Sequence, residues 1–463
     1  MTSFAANGGG ANWDYMYGVA VDSAGAAVAV GSFFGSATFG GVALTGDGGN
    51  DAFLWKLSAE GTTLWVARSD STSSEQLQAV AVDSADAVVA AGMFFTAGAF
   101  GGYSLTGAGG SDAFLWKLNA EGTTLWALRG GGTSSDYLYG VAVDSSNAVV
   151  AAGYFSSTSV TFGAVTLTRT GYGDAVVWKV SGEGTTLWAV RGGGTSYSYM
   201  KAVAVDGAGA VVAAGYISSS TATFGGVVLT TAGSYDAILW KLNAQGTTLW
   251  AVRGGGTSTD ELWGVAVDGA GAVVAAGYIK SSQATFGGVT LTNAQNNAIL
   301  WKVSAEGTTL WAERGGGGGT AGASPSGRRL TGHGSVRFDV MRSVAFDNAN
   351  SVVAAGSLSN PRATFGAEVL TKAGTGTGST NDDAVLWKVS AEGTTLWAMR
   401  AGGTDSNDKL YGVAVDGMGA VVAAGYFTGS LTTYDGEALT NAGGTYGPDA
   451  VLWKVSVDAK FKH

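Results

Sequence analysis

One unit of about 60 residues recurs seven times along this 463-residue chain, and this repetition constrains the fold more than any other feature. Repeats of this size can stack or close into one body, so length alone does not imply several domains. A first motif, Val-Ala-Val-Asp or a close variant, ends at Asp22, Asp83, Asp144, Asp206, Asp268, Asp347 and Asp416. A second, Asp/Asn-Ala-x-x-Trp-Lys, contains Trp55, Trp116, Trp178, Trp240, Trp301, Trp387 and Trp453. A third, Gly-Thr-Thr-Leu-Trp, occurs six times and contains Trp65, Trp126, Trp188, Trp250, Trp311 and Trp397.

Each repeat is predicted to form four short strands, A to D. In the third repeat these are about 138–143, 148–155, 174–180 and 185–191, with a long loop between B and C that contains 161–168. Apolar runs of this length between Gly, Asn and Ser turns are typical of strands, and no segment shows a helical period with caps. The sequence therefore predicts an all-β fold, a seven-bladed β-propeller with four antiparallel strands per blade.

The two ends of the chain are predicted to complete one blade together. The last repeat stops after strand C, whereas residues 1–10 align with a strand D, with Phe4 at the Trp position and Asn7 at the Arg position. An open sheet edge invites aggregation, so we expect this strand to join the last blade and close the ring as a single domain over 1–463. Gly-Gly-Gly runs after most D strands are predicted to be turns between blades.

The composition excludes several kinds of site. There is no Cys and only His333 and His463, which rules out thiolate ligands, multi-His metal centres and Cys nucleophiles, and no cofactor motif is present. A net charge of −10 argues against nucleic acid as a partner. No apolar stretch is long enough for a membrane-spanning helix, and no signal peptide is visible.

Residues that recur in every repeat are interpreted as scaffold. Thirteen of the 15 Trp lie in the two Trp motifs, where packing between blades is the expected role. The Asp that ends strand A stands before a hairpin turn and is expected to accept hydrogen bonds from turn amides. Lys56, Arg68 and their equivalents are assigned to the scaffold as well.

A recurring acidic position lies eight residues before each strand-A Asp. The fourth repeat has Ser198 at this position. The other six repeats have an acidic residue there: Asp14, Glu75, Asp136, Asp260, Asp339 and Asp408. A circle of carboxylates is a weak candidate for cation binding. The alternative interpretation, a repeated turn-stabilising carboxylate on the D-to-A loop, is favoured, and no metal is predicted.

Two positions in strand A vary freely between repeats. Five residues before the strand-A Asp stand Tyr17, Gln78, Tyr139, Lys201, Trp263, Arg342 and Tyr411. Seven residues before it stand Tyr15, Gln76, Tyr137, Tyr199, Glu261, Val340 and Lys409. Alternation places both sets on one strand face, near the mouth of the central channel. Aromatic and long polar side chains there suit a carbohydrate or peptide ligand, or they fill the wide end of the channel.

Two insertions interrupt the even spacing. The first, about 318–334, contains Arg328, Arg329 and His333 and is a local basic segment, so these three residues are further ligand candidates. The second, about 375–382, enlarges the B-to-C loop of the sixth repeat. Both are expected on one face, where loops on a rigid scaffold often carry function, although a tolerated insertion is an equal alternative.

The repeat resembles the bacterial seven-bladed β-propeller repeat family. In the fourth repeat the resemblance is carried by Ala213-Ala214-Gly215-Tyr216, Thr223-Phe224-Gly225-Gly226 and Asp236-Ala237-Ile238-Leu239-Trp240-Lys241. It covers nearly the whole chain and implies an exported or surface protein without an assigned activity. The Gly-x-x-x-Trp of strand D, as at Gly184 to Trp188, is also similar to pyrroloquinoline-quinone dehydrogenase propellers, but those have eight blades and often a Cys pair.

The sequence predicts a non-enzymatic binding, adhesion or structural module, extracellular or at a cell surface, with protein or glycan partners. The alternatives are a lectin, or a polysaccharide-acting enzyme with its site at the channel mouth. No catalytic residue stands out, and fold alone does not decide between these functions.

Overall fold

The computed structural model describes residues 3–292, 296–317, 338–373, 381–404, 406–434, 436–442 and 447–456, and all regular structure in these residues is β-strand. No helix in this part of the chain is long and apolar enough to cross a membrane. The N-terminal strand and the first repeat contain β1 (Phe4–Gly10), β2 (Tyr15–Val21), β3 (Ala27–Phe39), β4 (Val42–Leu57) and β5 (Thr63–Arg68). The second repeat contains β6 (Glu75–Val82), β7 (Val88–Phe94), β8 (Ala97–Phe100), β9 (Tyr103–Thr106), β10 (Asp112–Leu118) and β11 (Thr124–Gly131).

The middle repeats follow the same pattern. The third contains β12 (Asp136–Val143), β13 (Val149–Phe155), β14 (Ser159–Phe162), β15 (Val165–Thr168), β16 (Asp174–Val180) and β17 (Thr186–Gly194). The fourth contains β18 (Ser198–Val205), β19 (Val211–Ile217), β20 (Thr221–Phe224), β21 (Val227–Thr230), β22 (Asp236–Leu242) and β23 (Thr248–Gly256). The fifth contains β24 (Asp260–Val267), β25 (Val273–Ile279), β26 (Gln283–Phe286), β27 (Val289–Thr292), β28 (Asn297–Val303) and β29 (Thr309–Gly316).

The last two repeats complete the series. The sixth contains β30 (Val340–Phe346), β31 (Val352–Leu358), β32 (Arg362–Phe365), β33 (Glu368–Thr371), β34 (Asp383–Val389) and β35 (Thr395–Ala401). The seventh contains β36 (Lys409–Val415), β37 (Val421–Phe427), β38 (Leu431–Tyr434), β39 (Glu437–Thr440) and β40 (Asp449–Val455).

Strands A, B, C and D of a repeat pair in that order, always antiparallel. In the third repeat, β12 pairs with β13, β13 with β16 and β16 with β17. Neighbouring sheets share their core: Val89 and Leu115 of the second repeat pack with Leu138 and Trp178 of the third. Apolar faces buried between consecutive four-stranded sheets give an all-β, propeller-like fold, which confirms the predicted fold class at this level.

The connection between strands B and C is a hairpin, so the prediction of a loop there was wrong. In the third repeat this outer hairpin, β14 and β15, leaves its own repeat, and β14 pairs with β11, strand D of the second repeat. In this way each of four sheets gains two strands. Strand D would otherwise be a bare edge, and the hairpin covers it.

The Gly-Gly-Gly runs are also strand rather than turn, contrary to the prediction. Gly192, Gly193 and Gly194 lie in β17 and pair with the next outer hairpin, Gly192 opposite Phe224. A Cβ on Gly192 would lie 2.1 Å from the Phe224 ring. Glycine is needed here because the ring occupies the place of a side chain.

The first strand pairs with the last one along most of its length. β1 is antiparallel to β40, with Phe4 opposite Lys454 and Gly8 opposite Ala450. The Phe4 ring lies against Gly61, where a Cβ would be 3.0 Å from it, just as the Trp65 ring lies against Gly122. Lys454 Nζ donates to the Ala59 carbonyl at 3.2 Å, so the seventh repeat contacts the first.

Each repeat has one buried ion pair between the Asp that ends strand A and the Lys after the strand-C Trp. In the third repeat Lys179 Nζ lies 2.7 Å from Asp144, and both side chains are almost fully buried. The other carboxylate oxygen of Asp144 accepts from the Ser146 and Ala148 amides, which is the predicted turn role. Lys117 Nζ and Trp126 Nε1 both donate to the Gly182 carbonyl of the following repeat. These contacts fix the spacing of neighbouring repeats.

Candidate functional site

The variable residue five positions before the strand-A Asp is the extra residue of a β-bulge. In the third repeat Leu138 pairs with Gly153 and Gly140 with Ala152, which leaves Tyr139 without a partner across the strands. The same register shift occurs in strand A of each repeat. A bulge re-aims a side chain and is common beside functional sites.

The residue opposite the bulge has to be glycine. A Cβ on Gly153 would lie 1.8 Å from the backbone oxygen of Tyr137, which leaves no room for any side chain. At the equivalent glycines an added Cβ would lie 1.7–1.9 Å from a backbone oxygen of strand A. These are Gly31, Gly92, Gly215, Gly277, Gly356 and Gly425. The fixed Gly in strand B thus makes the variable residue in strand A possible.

The seven bulges line one cavity, which we call the A-strand cavity. Its volume is about 200 Å³, and each strand A contributes the variable residue and the next two. The variable residues are the seven ligand candidates of strand A: Tyr17, Gln78, Tyr139, Lys201, Trp263, Arg342 and Tyr411. The structure therefore brings together one residue from each repeat, at one of the two strand-A positions that vary freely between repeats.

Two cations flank Trp263 in this cavity. Lys201 Nζ lies 3.6 Å from the centroid of the Tyr139 ring and 5.2 Å from that of Trp263. The guanidinium carbon of Arg342 lies 4.7 Å from the centroid of Tyr411 and 5.8 Å from that of Trp263. Aromatic faces stabilise cations that have lost water.

Glu261 is the acidic group next to these cations. Its carboxylate accepts a hydrogen bond from Trp263 Nε1 at 3.2 Å, and its side chain is buried. Burial raises the pKa of Glu261, while Lys201 opposes the shift. Burial also lowers the pKa of Lys201 to about 8, with Glu261 opposing that shift.

The cavity cations differ from the scaffold cations in their partners. Each strand-C Lys is paired with an Asp, and Arg129, Arg191, Arg253 and Arg400 are paired with the first Asp of strand C. Lys201 and Arg342 form no ion pair with a carboxylate of the described residues, and Arg342 Nε and Nη1 are buried there without a hydrogen-bond acceptor. Positive charge in the cavity is therefore compensated only in part, by Glu261.

A run of tyrosines leads from the surface to the cavity. Tyr172, which is 65% exposed, lies 5.9 Å from Tyr197 between ring centroids, and Tyr197 lies 5.9 Å from Tyr199. Tyr199 in turn lies 4.3 Å from Tyr154, which stacks on Tyr139 in the cavity. Three of these rings come from positions that the sequence did not single out.

The recurring acidic position stabilises backbone, which agrees with the favoured interpretation. One Asp136 oxygen accepts from the Ser156 and Ser157 amides, and the other accepts from the Gly132 amide and the Ser157 hydroxyl. Asp260 and Asp339 have equivalent bonds. Burial raises the pKa of Asp14, Glu75 and Asp408 to about 7. Within the described residues no three metal-ligating side chains are grouped to hold an ion.

Three ligand candidates cannot be placed. Arg328, Arg329 and His333 lie outside the described residues, as does most of the second insertion. Asp382, the last residue of that insertion, is described and pairs with Lys409 at 3.0 Å. The roles predicted for the insertions therefore stay predictions.

A larger cavity lies between the third and fourth repeats, with a volume of about 580 Å³. Its lining includes Asp144, Lys179 and Trp188, which are scaffold residues present in other repeats. Its two charged side chains already have partners, since Lys179 and Asp144 form an ion pair with each other. The A-strand cavity is the better candidate although it is smaller, because its lining is specific to each repeat.

Comparison with known proteins adds little beyond the fold. No family model matches this chain, and no curated protein matches its sequence. A protein of unknown function from Bacteroides caccae is 8% identical, over 85% of this chain and 94% of that chain, with a TM-score of 0.38. The WD40 domain of Neurospora crassa Pan2 is 9% identical over 97% and 91%, with a TM-score of 0.44, and the WD40 β-propeller domain of Doa1 is 10% identical over 84% and 96%, with a TM-score of 0.32.

Likeness at this level carries no information about function. The resemblance to bacterial seven-bladed repeats and to pyrroloquinoline-quinone dehydrogenase propellers therefore stays a prediction.

Proposed function

We propose that this chain is a non-enzymatic binding module, a closed seven-bladed propeller that takes its ligand at the A-strand cavity. The observation that carries the proposal is the contrast between a nearly constant scaffold and a cavity lined by a strand-A position that changes in character from repeat to repeat. A structural filler would not need Tyr, Gln, Lys, Trp and Arg at equivalent positions.

Contacts between the ends of the chain support the closed ring. β1 pairs with β40, and Met16 and Phe33 of the first repeat share a core with Val422 and Leu452 of the seventh. Tyr17 and Tyr411 meet edge to face, with ring centroids 5.5 Å apart. The two additional two-stranded sheets are the outer hairpins β8–β9 and β38–β39. They are parts of the second and seventh repeats and do not count as further blades.

A peptide or glycan is the favoured ligand class, and an extracellular or cell-surface location is part of the proposal. Exposed aromatic side chains such as Tyr172 and Trp13 offer flat apolar faces of the kind both ligand classes use. An enzymatic role has less support. The recurring carboxylates, among them Asp136 and Asp260, are fully buried and bonded to backbone, so they cannot reach a substrate.

A peptide and glycan panel, read by direct binding, tests this function. We expect at least one ligand whose affinity falls at least about tenfold in Trp263→Ala, because a buried aromatic contact is lost. The control is Tyr103→Ala, which removes an exposed aromatic ring from the outer hairpin β8–β9. If every ligand binds both variants with the same affinity as the unmodified protein, the site lies elsewhere and the proposal is rejected.

A further inference from the structure

Arg342 is the strongest sign of what the A-strand cavity binds. Its Nε and Nη1 atoms are buried, and no described residue accepts a hydrogen bond from them. Buried charges in proteins are normally paired with an opposite charge or fully hydrogen-bonded. The faces of Tyr411 and Trp263 compensate only in part, since cation–π contacts contribute about 0.5–2 kcal/mol.

The charges that surround this space favour a monoanion. Lys201 and Arg342 contribute two positive charges, and Glu261 contributes one negative charge when it is ionised, which leaves a net charge of about +1. Tyr139, Tyr17 and Tyr411, which also line the cavity, are neutral. A dianion such as a phosphate monoester would exceed this charge, whereas a single carboxylate matches it and suits the guanidinium geometry.

The size of the space limits the ligand further. About 200 Å³ is below the 300–1,000 Å³ of pockets for drug-sized ligands. A carboxylate with a small planar or apolar body fits both this volume and the flanking rings of Trp263 and Tyr139.

We propose that the A-strand cavity binds a small organic monocarboxylate, held between the Arg342 guanidinium and the Lys201 ammonium. This inference rests on the proposed function for its site, the A-strand cavity, but it replaces the peptide or glycan with a smaller ligand. The same carboxylate group could also belong to the C-terminus of a peptide, so the experiment has to separate the two sources.

Calorimetric titration with benzoate is the direct test. The protein is expected to bind benzoate with a dissociation constant below about 1 mM and to show no binding of benzamide, which has the same shape without the charge. Arg342→Met should weaken benzoate binding at least about 30-fold. This is the low end of the loss of affinity caused by removing one partner of a buried charge pair. The matched control Arg362→Met removes an exposed guanidinium from the outer hairpin β32–β33 and should leave the affinity unchanged.

Thermal melting of both variants checks that they fold, and Lys201→Met provides a second test should Arg342→Met melt early. Equal affinity for benzoate and benzamide, or unchanged affinity in both Met variants, would overturn the inference. The protein could also bind a peptide with a free C-terminal carboxylate, but neither the same peptide with an amidated C-terminus nor benzoate. That result would overturn the assignment of a small organic acid as the ligand. A ligand from the peptide and glycan panel that no longer binds Trp263→Ala, but binds Arg342→Met as tightly as the unmodified protein, would leave the proposed function intact. It would reject only the carboxylate as the ligand.

Discussion

The ammonium nitrogen of Lys201 lies 3.6 Å from the centre of the Tyr139 ring, and both residues occupy the same bulge position in consecutive repeats. A scaffold repeated seven times thus brings two chemically different side chains into contact at one point. The aromatic face stabilises an ammonium group that has lost most of its water. This pair shows how the chain obtains an asymmetric site from a nearly symmetric fold.

Benzoate binding should weaken as the pH rises from 7 to 9. Burial lowers the pKa of Lys201 to about 8, so its charge is present below this pH and is lost above it. The facing groups are Tyr139, Tyr199, Tyr216 and Glu261, and burial raises the pKa of all three tyrosines, which stay neutral over this range. We expect a loss of affinity of roughly three- to tenfold, measured by calorimetry. Lys201→Arg should flatten this dependence, and an equally steep loss in that variant would exclude Lys201 as its cause.

Gly153→Ala should destabilise the protein strongly. The new Cβ would lie 1.8 Å from the Tyr137 backbone oxygen, and no side-chain movement can relieve that contact. We expect a loss of unfolding free energy of about 3 kcal/mol or more, measured by urea denaturation. Gly207→Ala is the control, because a Cβ there meets nothing within 4 Å, and its effect should stay within about 0.5 kcal/mol. Similar effects of the two substitutions would show that the bulge is not fixed by Gly153.

Lys179→Met should also lower stability. It leaves the buried Asp144 carboxylate, 2.7 Å from Lys179 Nζ, without its cation. Removing one partner of a buried pair costs about 3–5 kcal/mol, which denaturant unfolding can measure. The double variant with Asp144→Asn should recover a substantial part of this loss, because no uncompensated charge remains. Additive losses in the double variant would contradict a coupled pair.

Phe4→Trp should stabilise the contact between the chain ends. Phe4 occupies the place that Trp65 has in the first repeat, and Trp65 Nε1 donates to the Ala120 carbonyl at 2.9 Å. A Trp at position 4 gains the equivalent bond to Ala59, worth about 1 kcal/mol. Phe4→Ala should instead cost about 2 kcal/mol, because a half-buried ring is lost. Melting temperatures that do not change in either variant would argue against closure of the ring through β1.

Comparison of the repeats with one another singled out the residues that line the A-strand cavity, together with a second set, seven residues before each strand-A Asp, that does not line it. Tyr17, Lys201 and Arg342 could be identified because their position varies while its neighbours do not. The bulge that turns them inward was missed, since simple alternation describes a regular strand. Its signal was the Gly at one fixed position of strand B, such as Gly153 or Gly215. A glycine that never varies in a strand marks a close backbone approach.

The outer hairpins were missed for a related reason. Thr161 to Thr168 alternate around Gly163, which has a φ of +57°, and this pattern is that of a hairpin turn. The partner of the hairpin is strand D of the preceding repeat, and a local pattern cannot reveal a contact between repeats. The ion pair of Asp144 with Lys179 was likewise seen only as two separate scaffold positions, although the same spacing recurs along the chain.

Site-specific labelling tests directly whether the A-strand cavity is the binding site. The chain has no Cys, so Gln78→Cys introduces a single thiol in the cavity lining, and Thr161→Cys introduces one on an exposed outer hairpin. The rate of reaction with a small methanethiosulfonate is measured with and without the strongest binder of the peptide and glycan panel. We expect the ligand to slow labelling at position 78 at least about tenfold and to leave the rate at position 161 unchanged. A bound ligand that leaves both rates unchanged would contradict this expectation.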